Sequence, residues 1–505
     1  MGETMRTVIH SQMTLGEVDI AKIKLDPKSR DDIPQLLSGL QHIYTNLELR
    51  TAVFSILEDV MPKSVMTGKD CVANKLKGRP GMEQWRILVL GTLRLSLNAD
   101  YDRIHELANQ HNTLRQMLGH GIIDDKKQYN LQTIKDNLQL FTPEILDRIN
   151  QAVVHEGHRL LNKSDEDISS RCDSFVVQTD VHFPTDTNLL FDSMRKTIEK
   201  CAELCDKNDL SDWRQSNHNI KKLKKQYRYI QKLNHSTSKD ETKKEEQKEK
   251  IKKAHQSYID QAKVFLERAK ATRELLSQQL VVILVLFTKL DNYIKHAERQ
   301  IEQIITRVIN ETPIPHNEKV FSIFEEYTEW ISKGKAGVPV ELGLRVCVME
   351  DSNGFILHHH VMQNETDDKV AVSMVKETKL RFPGLSLCSF DKGFHSPQNQ
   401  KDLKTELKTV VLPKKGKLSL SDKERESSEE FVAARKKHSG VESAINALGV
   451  HGLDMCPDHG IDGFKRYVAL AVVARNIMRL GSVLKKIEER KRGCYNKSEP
   501  EKLAA

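Results

Sequence analysis

Apolar residues recur at helical spacing through the first third of the chain. Leu36, Leu37 and Leu40, then Ile87, Leu88, Leu90, Leu93 and Leu95, stripe residues 30 to 160 with the three-to-four-residue period of helices that bury one side. KLKGRPG, from Lys75 to Gly81, interrupts the stripe and predicts a break between two helical parts. The pattern predicts an all-helical N-terminal domain over residues 1–165. It is of DNA-binding size, and a dimerisation or packing domain would carry the same periodicity.

The texture changes at Ser174. SFVVQTDVHF is a short β-branched and aromatic run bounded by polar residues, and predicts a strand. Helical texture returns from about Leu189 to about Lys333 and predicts a long, Lys-rich helical insertion. Val340, Leu342, Leu344 and Val346 then alternate with Glu341, Gly343, Arg345 and Cys347, and Asn353-Gly354 separates this run from the next, a hairpin signal. A helix at about Asp367 to Arg381, the strand LSLCSF ending at Asp391, a strand in KTVVLP, a short helix with Glu442, a turn from Gly449 to Gly463 and a helix from Phe464 to about Arg492 follow. That order predicts an α/β chain with a mixed sheet covered by helices. The expected divisions are 1–165, a first core segment 166–195, the insertion 196–335, the rest of the core 336–492 and a tail 493–505.

The 505 residues are enough for roughly three units, and 38% hydrophobic with 30% charged residues predicts folding over most of the length. The net charge of +8 is concentrated: Lys221 to Lys253 holds thirteen Lys or Arg against five Asp or Glu. Such local excess suits a polyanion, most simply nucleic acid, although a solvated helix face has the same composition. The eight cysteines show no repeated CxxC spacing, which fits a reducing cytosol. No signal-peptide core is visible at the N-terminus, and the longest apolar run, Leu280 to Phe287, predicts a buried helix segment and no membrane span.

Two acids stand where phosphodiester chemistry would need them. Asp391 closes an apolar strand that would fix its carboxylate at the carboxyl end, unless it caps a helix or turn. Glu442 flanks a stripe of Val441, Ile445 and Leu448 from which it could reach a neighbouring sheet, or it faces solvent. His358, His359 and His360 alternate faces and cannot chelate one ion; Cys456, His459 and His451 lack the second close pair of a structural zinc site. No phosphate-binding glycine loop is present, so no nucleotide cofactor is implied.

Three separated segments, VVQTDVHFPTDTNLL at 176–190, SFDKGF at 389–394 and VESAINALGVHGLD at 441–454, together with PVELGLRVCVMED and GFKRYVALAVVARNI, resemble bacterial insertion-sequence transposases of the ISNCY type. The likeness runs from about residue 75 to 490. It implies an RNase H-like catalytic core, DDE chemistry with two Mg²⁺ ions (Mn²⁺ substituting), cleavage at insertion-sequence ends and strand transfer into target DNA. Asp391 and Glu442 match the second and third members of the triad. The first is Asp173 by the family register or Asp180 by local strand texture, and Gln178 stands where an acid is usual. Lys392, Arg435, Lys436, Lys437 and His438 flank the triad and are expected to clamp DNA phosphates; Lys221, Lys222, Lys224 and Lys225 are expected to hold DNA from the insertion. A homodimeric synaptic complex and a cytoplasmic, nucleoid-associated location follow from the likeness. A decayed or domesticated DNA-binding derivative, and an RNase H-like nuclease that cuts without joining, are the alternatives.

Overall fold

The computed structural model describes residues 7–9, 16–26, 28–60, 81–121, 127–162, 166–235, 240–279, 284–332 and 339–497. The break expected at 75–81 and part of the Leu280–Phe287 run lie outside the described residues. The chain divides into two compact units, Met1–Asp180 with Ile331–Ala505, and Val181–Trp330.

The first unit is built on a mixed sheet. Its strands are β1 (Ile168–Thr179), β2 (Glu329–Ser332), β3 (Val340–Asp351), β4 (Ile356–Val361), β5 (Leu385–Phe390), β6 (Thr409–Val411) and β7 (Met455–Cys456). Strand β1 is central. It pairs antiparallel with β3 and parallel with β5, which pairs parallel with β6. Both β2 and β4 pair with β3, β4 in the antiparallel sense, and β7 pairs parallel with the end of β1. Gly343 sits opposite Gln178 in the β1/β3 register, where a Cβ would come within 2.0 Å of the Val177 carbonyl oxygen; only glycine lets the two strands close here.

One sheet face presents Cys172, Cys347 and Met349 to Val154 of the helix Pro143–Leu160, to Val370 and Met374 of the helix Asp367–Arg381 and to Val483 of the helix Gly460–Lys497. Buried polar groups tie these layers. His158 Nε2 meets Asp351 Oδ2 at 2.7 Å, and Asp351 Oδ1 accepts the N–H groups of Asn353 and Phe355, which shapes the hairpin turn around Gly354 at φ +83. Asn476 donates to Asn150 Oδ1 and to the Ile356 carbonyl oxygen, and its own Oδ1 accepts the Ile356 N–H.

Several expectations need correction. Strand β1 begins at Ile168, not Ser174, because neighbours on both edges hold the polar stretch Ser169–Cys172. The N-terminal helices are no separate domain; Asp32–Thr45 and Pro143–Leu160 pack on the long C-terminal helix in one unit. That helix contains one stretch, Gly460–Lys491, long and apolar enough to cross a membrane, but it is mostly buried as a core helix, which is compatible with a soluble protein.

The second unit begins earlier than residue 196. The helix Asp186–Lys207 sends Leu190, Met194, Ile198 and Cys201 into a core with Trp213, Tyr258, Phe265, Leu290 and Ile294 from the rest of the unit. Its further helices are Ser216–Asn234, Glu241–Gln279 and Leu284–Ile304, extended by a π turn, Ile305–Ile309. Helical structure ends there apart from the short turn His316–Glu318, and β2 replaces the expected helix near Lys333.

Candidate active site

Asp173 lies within β1, and Cys172 pairs in parallel register with Phe390, the last residue of β5. Asp391 is the next residue along. Two neighbouring parallel strands therefore deliver two carboxylates side by side, at a strand spacing of roughly 5 Å. Asp391 precedes the 3-10 turn Lys392–Phe394 but its side chain makes no capping bond. Its carboxylate is exposed and has no hydrogen-bond or ion-pair partner among the described residues.

Glu442 comes to the same neighbourhood on the helix Gly440–Leu448, which buries Val441, Ala444 and Leu448 and packs against β1. Ile445, expected in the stripe, is half-buried, with Ala444 taking the central place. The Glu442 carboxylate is exposed and likewise without a partner among the described residues.

Arg171, two residues before Asp173 on β1 and so on the same sheet face, ties down the end of the preceding helix, Glu429–His438. Its guanidinium donates to the Lys437 carbonyl oxygen at 3.0 Å and to the Asp351 carbonyl oxygen at 2.9 Å. Glu350 Oε2 lies 3.0 Å away, close in charge but without the alignment of a hydrogen bond. A Cβ on Gly440 would come within 1.5 Å of Arg171 Nη1, the movable end of that side chain, so a larger residue at 440 would displace the guanidinium. Burial pushes the Glu350 carboxyl up to about 7, with Arg171 opposing and Asp351 adding to the rise.

Electrostatics register how the acids have come together. Asp173 is pushed up to about 6, first by burial and then by Asp391, Asp367 and Glu442, against the pull of the Ser174 N–H that it accepts at 2.7 Å. Like charges in a partly desolvated place hold protons more tightly. Among the described residues no Lys or Arg pairs with Asp391 or Glu442, and no three His, Cys, Asp or Glu side chains are gathered closely enough to ligate one ion.

Asp367 was not picked out from the sequence. It opens the helix Asp367–Arg381, accepts the Ser174 hydroxyl at 2.6 Å, and its Oδ2 lies 2.9 Å from where a Cβ on Gly393 would stand. An acid at a helix start reads as a partner for the helix dipole, which conceals any second role. Asp180 is exposed and follows the last residue of β1, seven residues beyond Asp173.

His438 turns inward. Its Nδ1 shares a hydrogen bond with Ser389 Oγ at 3.0 Å, and burial lowers its proton affinity while Asp391 and Glu442 raise it. Arg435, Lys436 and Lys437, in the last turn of the helix Glu429–His438, are exposed, as is Lys392, and none has an ion-pair partner among the described residues.

In the second unit Lys221, Lys222, Lys224 and Lys225 lie on the helix Ser216–Asn234, which buries only Leu223 and Ile230. All four are solvent-facing and unpaired among the described residues. No protein-family model, curated protein or solved structure matches the chain, so its chemistry rests on the residues themselves.

Proposed function

We propose that the chain is a metal-dependent DNA transposase of the DDE type on an RNase H-like core, with Asp173, Asp391 and Glu442 as its triad. The observation that carries the reading is the crowding of these acids at adjoining strand positions and on a facing helix, with Asp173 held near 6 by burial and by its neighbours. The strand order β4-β3-β1-β5-β6, antiparallel on one side of β1 and parallel on the other, supports the RNase H-like reading.

Carboxylates that are hard oxygen donors, crowded and without a counter-charge among the described residues, fit a hard divalent cation. Asp173, Asp391 and Glu442 would hold Mg²⁺ once drawn closer together than they stand in this structure, with Mn²⁺ able to replace it. A bound ion supplies Lewis-acid stabilisation of the attacking and leaving oxygens of a phosphodiester. Arg171 holds the end of the helix that precedes Glu442, at Lys437, to β1. Lys392, Arg435, Lys436 and Lys437 offer charge for phosphates on either side of the acids, and Lys221, Lys222, Lys224 and Lys225 offer a sequence-independent surface. Joining two element ends calls for a pair of subunits, and a DNA substrate places the protein at the nucleoid.

Strand cleavage and joining by Asp391→Asn and Glu442→Gln, measured with labelled end DNA and a target plasmid in Mg²⁺, test the assignment. Both variants should bind end DNA and fail to cut it. Near-normal cleavage by either removes that residue from the site. Cutting without joining by the unaltered chain would favour a nuclease, and binding with neither reaction a decayed derivative.

A further inference from the structure

The second unit holds a cavity of about 520 Å³ that the assignment of Asp173, Asp391 and Glu442 does not use. Its size falls within the range of roughly 300–1,000 Å³ typical of small-ligand sites. One side is aromatic. Phe183 is 61% exposed although it is a large apolar ring, and it meets Trp330 edge to face at 5.5 Å between centroids; Phe321 lies 5.6 Å from the other flank of Trp330. A ring left open to solvent beside a second ring is a stacking surface without an occupant.

The remaining wall is polar and carries a surplus of positive charge. Arg307 pairs with Asp186 at 2.7 Å, whereas the Lys319 ammonium, half-buried, makes no ion pair or side-chain hydrogen bond among the described residues, although its charge also reaches Asp186. His255 lines the same cavity and is 3% exposed. Its Nδ1 is engaged by the Ile251 carbonyl oxygen at 2.8 Å, which places the proton on Nδ1 and leaves Nε2 as an acceptor with no partner among the described residues.

We propose that this cavity receives one unpaired nucleotide of a DNA strand, its base stacked at Phe183 and Trp330 and its phosphate held at Lys319 and Arg307. The chemistry selects the ligand. An aromatic face suits any base, two cations sharing one carboxylate leave a positive charge for a phosphate, and an unpaired acceptor suits an exocyclic amino or ring N–H group. The proposal rests on DNA being the substrate, and a free mononucleotide would present the same groups.

The test uses the full-length chain in EDTA, so that no metal-dependent step intervenes. The probe is a duplex with a short 5′-phosphorylated overhang carrying 2-aminopurine at one unpaired position. Binding should quench its fluorescence, and Phe183→Ala should weaken the quenched complex roughly tenfold, as expected for loss of one base-stacking ring. Lys319→Ala should flatten the slope of log affinity against log salt by about 0.7, the share of one neutralised phosphate on a single strand. A blunt duplex with the same base paired inside it should show no quenching and no dependence on Phe183. Circular dichroism of each variant establishes that it has folded.

Unchanged quenching in both variants would overturn the proposal, as would a free 2-aminopurine nucleotide binding as tightly as the overhang, which would make this a site for a soluble nucleotide. Quenching that persists while Mg²⁺-dependent cleavage is missing would count against the triad alone. Cleavage without quenching would count against the cavity alone.

Discussion

Two sets of residues, one in each unit, leave charge unpaired in opposite senses. In the first, Asp391 and Glu442 stand without cations beside a crowded Asp173; in the second, four lysines of the helix Ser216–Asn234 stand without carboxylates, in both cases among the described residues. The next helix, Glu241–Gln279, shows that this is no accident of composition. There Lys244 meets Glu241 at 2.5 Å, and Lys248 and Lys252 both meet Glu311 at 2.7 Å. The basic stretch from Lys221 to Lys253 therefore splits into a half with free charge and a half that is substantially neutralised within the fold. An unsatisfied group on a folded surface points to a partner outside the chain, and a paired one does not.

The largest effect expected from disturbing this contrast is at the acids. Asp173→Asn, Asp391→Asn and Glu442→Gln should each lower strand cleavage about 1,000-fold, roughly 4 kcal/mol of barrier, while end-DNA binding measured by filter retention holds or rises slightly. Asp180→Asn is the control and should stay within about twofold of the parent; the reverse pattern would move the first carboxylate seven residues along.

On the basic side, alanine at Lys221, Lys222, Lys224 and Lys225 together should flatten the salt slope of duplex binding by up to about three or four units, near 0.9 for each phosphate that is no longer neutralised. The matching change at Lys244, Lys248 and Lys252 should leave the slope nearly as it was. Equal slopes for the two sets would erase the distinction drawn between the helices.

A smaller loss is expected at the strut between the acids. Gly440→Ala drives a methyl group into the movable guanidinium of Arg171 and should cost about 1 kcal/mol of stability, the worth of a displaced hydrogen bond, read as a lower urea midpoint. Cleavage should fall about tenfold with binding unchanged. Full activity would mean that the Glu442 helix needs no such fixing.

The smallest effect is one of pH. Because Asp173 sits near 6 when folded and near 3.8 otherwise, the folded state keeps a proton that the unfolded chain has released between those values. Stability of the metal-free protein then falls as pH rises through that window. Asp173→Asn removes the penalty, so above pH 6 it should be the more stable protein, by at most about 3 kcal/mol and nearer 1 after solvent screening. Below pH 4 the advantage should vanish. Denaturation in EDTA at pH 4 and pH 8 measures both.

Much of the local structure was legible. Asn353-Gly354, with Gly354 at positive φ, marked the hairpin, and the helix Asp367–Arg381 and strand Leu385–Phe390 lie where their own residues put them. What escaped depends on partners distant in the chain. Ser169–Cys172 has poor strand texture and is held by β3 and β5; β2 has only four residues and no pattern of its own. Asp391 and Glu442 could be singled out because each adjoins an apolar run. Asp367 could not, since only the Ser174 hydroxyl and the field on Asp173 reveal its position.

The placement of β1 at the centre of the sheet also sets a timetable for synthesis. Its antiparallel partner β3 begins at Val340 and its parallel partner β5 at Leu385. At roughly 5–20 residues per second, β1 leaves the ribosome many seconds before either edge can be covered, and an uncovered central strand is an invitation to wrong pairing. The residues made in that interval are those of the second unit, which closes its own core of Trp213, Tyr258 and Leu290 without help from the sheet. Asp173 and Glu442 are separated by about 270 residues. A nascent chain thus carries its lysine surface well before its acids can meet, and, if the proposed function holds, interrupted translation would yield fragments able to hold DNA and unable to cut it.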